Sequence, residues 1–320
     1  MDGVRRPGAA YDLVVGDLGE RLVDALNATY GVHKGHRAAH AKGVLCAASF
    51  TATSDASALS RAPHLDGATH RAHVRFSNGS GDPTVHDGQR DGRGMALKVY
   101  LPDGATTDVV TLSLPLFFVR TPEDLIEFNE ARRPDPETGG PDLARVGEFL
   151  GRHPETVPAV MLAMEALPPA SFAQVAYHSI HAFGFVSADG SVRYGRYHFV
   201  PEAGEASIDD ADAMARPDAY LVAELEERLA AAPVRFRVEI ELAGAGDPVD
   251  DPTAAWPDDR ERVHLADLEV SALAFDREVD GDVLVFDPTR VPDGIELTDD
   301  PILRARSAAY RASVARRTAT

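Results

Sequence analysis

The pattern of apolar and polar positions along the chain predicts two groups of strands separated by helices. Helical spacing is clearest in the first segment, where Leu18, Leu22 and Leu26 recur at intervals of four. Short apolar runs bounded by Gly, Pro, Asp or Ser are typical of strands. We therefore predict helices at residues 12–30, 217–231 and 303–317, and a helical stretch at 121–167 in which 124–132 and 141–153 are the clearer helices. We predict strands at residues 41–53, 73–78, 94–101, 109–114, 179–185, 192–200, 234–242 and 265–275.

This order of elements predicts an α+β fold built on a closed antiparallel β-barrel of about eight strands, with crossover and flanking helices. The 320 residues contain no internal repeat or linker that would divide them, and 44% hydrophobic content is enough for a large core. We predict one domain over residues 1–320. It would comprise an N-terminal helix (1–30), a barrel with inserted helices (31–300) and a C-terminal helix (301–320).

Composition narrows the classes of function. A formal net charge of −19 argues against nucleic acid as a partner, because phosphates would be repelled. Acidic residues interrupt the apolar run at residues 11–18, and no run approaches the roughly twenty apolar residues of a membrane span, so we expect a cytoplasmic protein without a membrane partner. Cys46 is the only cysteine, which excludes an intrachain disulfide and a cysteine-based zinc site.

The predicted C-terminal helix carries candidate chemistry on one face. Leu303, Arg306, Tyr310, Val314 and Arg317 follow one another at intervals of three and four. A phenol binds ferric iron as phenolate, and a guanidinium one turn away would stabilise that anion. The alternative is that the tyrosine packs at a core edge and the two arginines are solvated.

Several further motifs occur in a fixed order before this helix. Together with the C-terminal Arg-x-x-x-Tyr they resemble the monofunctional haem catalase family over residues 30 to 317, so that haem is the expected prosthetic group. The matching strings are GHRAAHAKG at 35–43, VRFSN at 74–78, DGRGMALK at 91–98, PLFFV at 115–119, HSIHAFG at 178–184, DPTAAWP at 251–257, FDP at 286–288 and PDGIE at 292–296.

The resemblance is strongest for the small catalase-related peroxidases. Larger members begin with a long threading arm and continue past the tyrosine helix into a wrapping segment and a helical domain. The given sequence stops three residues after Arg317. We therefore expect a minimal core around the haem, with a cavity more open than in the large enzymes.

On the distal side of the haem, the resemblance implies that His40 is the catalytic base. A histidine with a pKa near neutrality can take a proton from one peroxide oxygen and return it to the other. Ser77 would fix the tautomer of the ring, and strand periodicity puts Ser77 on the same side as Arg75. The alternative is a buried structural histidine.

The cofactor implied by the resemblance is haem b, with Tyr310 as the iron ligand and Arg306 stabilising the phenolate. Anionic propionates suit arginine partners. Phe117 matches a phenylalanine near the haem face, although ordinary core packing explains it equally well. The resemblance assigns haem binding to Arg37, Arg75, Phe117, Arg306, Tyr310 and Arg317.

One departure from the family affects the expected activity. The family has a distal asparagine shortly before its Pro-x-Phe-Phe string, whereas this chain has Thr111-Leu-Ser-Leu-Pro115. We therefore expect a haem peroxidase that reduces organic hydroperoxides and hydrogen peroxide through a ferryl intermediate, with weak or no catalase activity. An unidentified small reductant would complete the cycle. The alternatives are an enzyme that rearranges fatty-acid hydroperoxides and a non-enzymatic haem-binding protein, against which the retained His40 argues.

A metal site without haem is a further alternative. His33, His36 and His40 are spaced three and four apart, and His178 and His181 form a second short pair. Zinc or non-haem iron would accept such ligands, but no carboxylate completes the set and glycines at 31 and 35 weaken the helix that would align them. Whether the chain forms a homo-oligomer is left open by the sequence.

Overall fold

Eight antiparallel strands form a closed barrel in the structure, a computed structural model that describes residues 9–275 and 283–319. Together with two short strands outside the barrel, the described residues form ten strands: β1 (Gly43–Ala52), β2 (Thr69–Asn78), β3 (Arg93–Tyr100), β4 (Thr106–Leu112), β5 (Tyr177–His178), β6 (Phe183–Val186), β7 (Val192–Pro201), β8 (Val234–Leu242), β9 (Arg262–Leu273) and β10 (Ile295–Leu297). The barrel order is β7-β5-β4-β3-β2-β1-β9-β8, and β8 pairs back with β7. The short strands β6 and β10 extend the sheet beside β7.

Helices flank this barrel and connect its two groups of strands. They are α1 (Ala9–Tyr30), α2 (Ala56–Leu59), α3 (Pro122–Ala131), α4 (Leu143–Arg152), α5 (Val157–Glu165), α6 (Asp210–Met214), α7 (Tyr220–Ala231) and α8 (Pro301–Thr318). Helices α3, α4 and α8 begin at favourable caps, in which a side-chain oxygen accepts from the first free N–H groups of the helix. The Thr121 hydroxyl accepts from the amide of Asp124 at the start of α3, and the Asp300 carboxylate accepts from the amides of Ile302 and Leu303 at the start of α8.

The barrel interior is filled by aromatic and aliphatic side chains. Phe76 stacks on Phe172 with ring centroids 5.6 Å apart and also contacts Tyr177 and Phe236. All four rings are almost completely buried. Because successive side chains of a strand point to opposite faces, Phe76 of β2 faces this core while its neighbours Arg75 and Ser77 face the helices outside the barrel. The strand thereby supplies polar groups to a site on the outer surface of the barrel.

Helices α1 and α8 cross in close contact outside the barrel. A Cβ atom at Gly19 would lie only 2.7 Å from the carbonyl carbon of Ala308. Arg316 forms an ion pair with Glu20, and its Nη1 donates to Asp24 at 2.7 Å. Close backbone packing and these ion pairs fix α8, which carries the candidate tyrosine, against α1.

The predicted barrel fold and all five predicted helices are confirmed. The structure corrects the strand predicted at 179–185, because strand pairing occurs only at 177–178 and 183–186. The elements α2, α6 and β10 were not predicted, since three to five residues are too few for periodicity to show. The predicted segments 1–30, 31–300 and 301–320 extend over residues 1–8, 276–282 and 320, which lie outside the described residues. In the described part of the chain, no helix combines the length and apolar character that a membrane crossing requires.

The α1–α8 crossing generates a stability prediction. Alanine has a higher helix propensity than glycine by about 1 kcal/mol, yet a methyl group at Gly19 would force the two backbones apart. We expect Gly19→Ala to lower the free energy of unfolding by about 1 to 3 kcal/mol, measured by urea denaturation. The control is Gly147→Ala in α4, where nothing lies within 4 Å and the substitution should stabilise the protein slightly. Stabilisation by both substitutions would contradict the close crossing.

Candidate active site

A cavity of about 710 Å³ lies between the outer face of the barrel and helices α1, α3, α5 and α8. Two rows of paired strand residues form its floor. One row is Arg75, Ala96 and Val110, and the other is Ser77, Gly94 and Leu112. All the residues that the sequence singled out for a haem site line this one cavity: Arg37, His40, Arg75, Ser77, Phe117, Arg306, Tyr310 and Arg317.

His40 is held at the cavity wall by its backbone and by its ring. It has a φ of 56°, the only positive φ at a non-glycine position among the described residues. Its amide donates to the carbonyl of Gly79 (3.1 Å), and its Nδ1 is 3.0 Å from the hydroxyl oxygen of Ser77. A Cβ atom at Gly94 would lie 2.8 Å from both Nδ1 and that oxygen, so only glycine leaves room for the ring. Because the contact with Ser77 engages Nδ1, Nε2 is the ring nitrogen that remains for proton transfer.

The ring of His40 is neutral at physiological pH. Burial is the main cause that lowers its pKa to about 3, and the positive charges of Arg75, Arg306 and Arg37 act in the same direction. This value lies well below the near-neutral pKa expected from the sequence. The difference arises because the sequence does not show how completely the ring is surrounded or how many guanidinium groups face it.

The charge of the cavity is opposite to that of the whole chain. Among the described lining residues, six are arginines and only Asp91 is acidic. Arg75 is held by the backbone, with Nη1 donating to the carbonyl of His40 (2.9 Å) and Nη2 to that of Ala41 (3.2 Å). Arg37 Nη2 donates to the carbonyl of Leu284 at 3.1 Å. The cavity therefore suits a ligand that carries anionic groups.

Tyr310 is held by a chain of hydrogen bonds that runs back to the start of its own helix. Arg306 donates to the phenol oxygen through Nε (2.9 Å) and Nη2 (2.6 Å). Its Nη1 lies 3.0 Å from His181 Nε2, and His181 Nδ1 lies 2.6 Å from the Asp300 carboxylate. Burial and Arg306 lower the pKa of His181, so the ring is neutral, donates from Nδ1 and accepts at Nε2.

The segment 111–115, in which the sequence resemblance leads us to expect a distal asparagine, places Thr111, Leu112 and Leu114 on the cavity. Leu112 pairs directly with Gly94, against which the His40 ring packs. The hydroxyl of the neighbouring Thr111 already donates a hydrogen bond to the carbonyl of Met95 at 2.8 Å. A peroxide near His40 would therefore meet an aliphatic side chain from this strand rather than an amide.

The alternative histidine metal site is not formed. Residues 31–42 are not helical, and His33 Nε2 lies 2.9 Å from the carbonyl of Tyr30. His178 packs against His198, while His181 contacts Asp300. Within the described ranges, the single group with metal-compatible spacing lies outside the cavity and consists of Asp124, Glu127 and His153.

Sequence reasoning assigned no role in a haem site to three residues that shape this cavity. His181 and Gly94 stood inside matched strings, but their contacts depend on elements far away in the chain. Asp300 was detectable, because Asp-Pro at the start of a helical pattern is a typical N-terminal signal. The pattern could predict its capping role but not its contact with His181.

The hydrogen-bonded chain behind Tyr310 generates a second stability prediction. Asp300→Ala removes a helix cap and leaves His181 Nδ1 buried without an acceptor, so we expect a loss of about 2 to 4 kcal/mol in unfolding free energy of the haem-free protein. Asp299→Ala is the neighbouring control, because that carboxylate is exposed and forms only a surface ion pair with Arg304. Equal effects of the two substitutions in urea denaturation would contradict a structural role for Asp300.

Comparison with known proteins agrees with this geometry. The family model described as Catalase matches residues 32–320. A "Catalase-related peroxidase" of Mycolicibacterium paratuberculosis is 45% identical, over 93% of this chain and 94% of the relative. A protein of the same name from Synechococcus elongatus is 35% identical, over 93% of this chain and 88% of the relative.

Solved structures show the same fold. The crystal structure of a fungal catalase superposes with a TM-score of 0.81 at 23% sequence identity, and the match covers 89% of this chain and 59% of that one. The family match and the two relatives extend over nearly the whole sequence and confirm the resemblance inferred from the motifs. The chain therefore belongs to the catalase family.

Proposed function

We propose that this protein is a haem-dependent peroxidase that reduces organic hydroperoxides and hydrogen peroxide, with weak or no catalase activity. The observation that carries the proposal is an oriented, neutral histidine and an arginine-held phenol in one cavity. The two relatives named catalase-related peroxidases support the same activity class.

The catalase family implies haem, and the cavity residues fit this group. A porphyrin needs apolar surface for its ring, and the lining supplies Val110, Phe117, Phe286, Ala309 and Val314. Two propionates need cations, which the arginine-rich lining provides. We assign the propionates to Arg37, Arg75 and Arg317, and the iron of haem b to the oxygen of Tyr310.

When bound, the haem group, iron and porphyrin together, would supply the two electrons that cleave the peroxide O–O bond. His40 Nε2 would accept the proton from the inner peroxide oxygen and return it to the outer oxygen as the bond breaks. The overall reaction consumes one hydroperoxide, two electrons and two protons and yields one alcohol and one water. The electrons come from a small reductant. Arg306 would keep the Tyr310 phenolate stable through two charge-assisted hydrogen bonds.

The aliphatic side chain of Leu112 on the His40 side of the cavity favours peroxidase activity over catalase activity, which is the dismutation of hydrogen peroxide. Dismutation requires a second hydrogen peroxide to be held and oxidised beside the histidine, and a polar group is needed to hold so small a polar molecule. Leu112 supplies no hydrogen bond, whereas it offers favourable contact to the alkyl part of an organic hydroperoxide.

The direct test compares two activities of the haem-loaded protein. We expect oxidation of a reducing dye with cumene hydroperoxide, and slow or no evolution of oxygen from hydrogen peroxide. Rapid oxygen evolution without dye oxidation by any hydroperoxide would refute the proposal. Consumption of a lipid hydroperoxide without any reductant, with a rearranged product, would instead indicate the rearranging enzyme.

Substitutions separate the two sides of the proposed haem. His40→Ala should lower dye oxidation about 10²- to 10⁴-fold while haem stays bound, because only the proton carrier is lost.

Tyr310→Phe should change the visible spectrum of the ferric protein, because the iron ligand is lost. The controls are His36→Ala and Tyr194→Phe, since both residues lie outside the cavity. Unchanged turnover in His40→Ala, or an unchanged spectrum in Tyr310→Phe, would contradict the assigned roles.

A further inference from the structure

One arginine that lines the cavity, Arg132, has no ligand assigned to it by the proposed function. Of the six lining arginines, three suit the propionates under the proposed function and Arg306 holds Tyr310. Arg90 is paired with Asp210 through Nε and Nη2, both at 2.9 Å. This leaves Arg132, which begins the turn after α3.

Neutral groups position Arg132 in the described part of the chain. Its guanidinium lies 4.3 Å from the centre of the Phe128 ring, and its Nη2 donates to the side-chain oxygen of Asn129 at 2.9 Å. Asn129 is itself fixed, because its amide nitrogen donates to the carbonyl of Leu125 at 2.8 Å. The aromatic ring and the amide therefore orient the guanidinium without neutralising it.

The charge of Arg132 is uncompensated by the side chains that the structure describes. Across residues 17–275 and 283–319 no carboxylate forms an ion pair with it, and its buried Nε has no hydrogen-bond partner. A buried donor without an acceptor costs free energy, and the cost is larger for a charged group. An arginine oriented in this way toward a cavity is a typical recognition group for a carboxylate.

The surface next to Arg132 is apolar and reaches the outside of the protein. Val160 of α5 packs against the cluster that contains Phe128, and both side chains line the cavity. Met164, one turn further along α5, also lines the cavity yet is 63% exposed, so the cavity opens to solvent beside it. An aliphatic chain could follow these side chains from the interior to the surface.

We propose that Arg132 recognises the carboxylate of the substrate, and that the natural substrates are hydroperoxides of carboxylic acids with an aliphatic chain. This inference rests on the proposed peroxidase function and narrows its substrate class. The guanidinium binds the carboxylate through charge-assisted hydrogen bonds, and the apolar side chains of α5 contact the chain. Arg132 is a specificity-determining residue that takes no part in the cleavage of the O–O bond.

The first experiment measures binding without turnover. Isothermal titration of the haem-loaded protein with octanoate and with octanol compares a carboxylate with a neutral molecule of the same chain. A charge-assisted hydrogen bond corresponds to about ten- to hundredfold in affinity, so octanoate should bind more tightly by that factor. Arg132→Gln should remove the preference for octanoate, and Arg132→Lys should retain part of it. Because no peroxide is involved, this result does not depend on the peroxidase activity.

The matched control is Arg133→Gln, since Arg133 is the adjacent arginine but is exposed and outside the cavity. It should leave both affinities unchanged. In turnover, Arg132→Gln should raise KM about ten- to hundredfold for a long-chain hydroperoxy fatty acid, while KM for its methyl ester and for tert-butyl hydroperoxide stays the same.

Three outcomes would overturn the inference. The first is equal affinity of the wild type for octanoate and octanol, which needs no variant. The second is an equal loss of turnover for the acid, its ester and tert-butyl hydroperoxide in Arg132→Gln. The third is loss of haem from Arg132→Gln with a shifted visible spectrum, which would assign Arg132 to a propionate. Absence of dye oxidation with every hydroperoxide would refute the peroxidase proposal alone and leave the octanoate comparison valid.

Discussion

The hydrogen-bonded chain from Asp300 through His181 and Arg306 to Tyr310 joins the C-terminal helix to the barrel and orients its phenol. Asp300 is almost fully buried and accepts from two helix amides as well as from His181. His181 is equally buried, and its Nδ1 contacts Asp300 while its Nε2 contacts Arg306. Each group satisfies a neighbour that burial would otherwise leave without a partner, so helix position and phenol orientation are coupled.

The electrostatics of the cavity follow from how its arginines are held. The chain as a whole has a net charge of −19, yet six arginines and one acidic residue are found among the described residues that line the cavity. Arg75 and Arg37 each donate to backbone carbonyls, which help to position their guanidinium groups. The resulting positive potential attracts anionic ligands and helps to keep the buried His40 ring neutral. Under the proposed function, cofactor binding and the base chemistry of His40 would therefore depend on the same set of charges.

The distal wall shows how backbone geometry decides chemistry. His40 occupies a left-handed conformation, and the absence of a side chain at Gly94 makes room for its ring beside Ser77. Strand pairing then places Leu112 in the same row, because residues opposite each other in an antiparallel pair share a face. Under the proposed function, a peroxide beside His40 would meet one aliphatic side chain from that row, while the histidine and the serine stay in contact.

The sequence by itself determined the helices, most strands, the family and eight of the residues that line the cavity, because periodicity and short motifs are local properties of the chain. Tertiary structure alone decided the contacts between distant segments. The pairing of His181 with Asp300 joins residues 119 positions apart, and the close approach of Gly19 to Ala308 depends on the packing of two helices. The pKa of His40 and the surroundings of Arg132, whose buried Nε has no hydrogen-bond partner among the described residues, also required the fold, because burial and the distance between charges exist only once the chain has closed around the cavity.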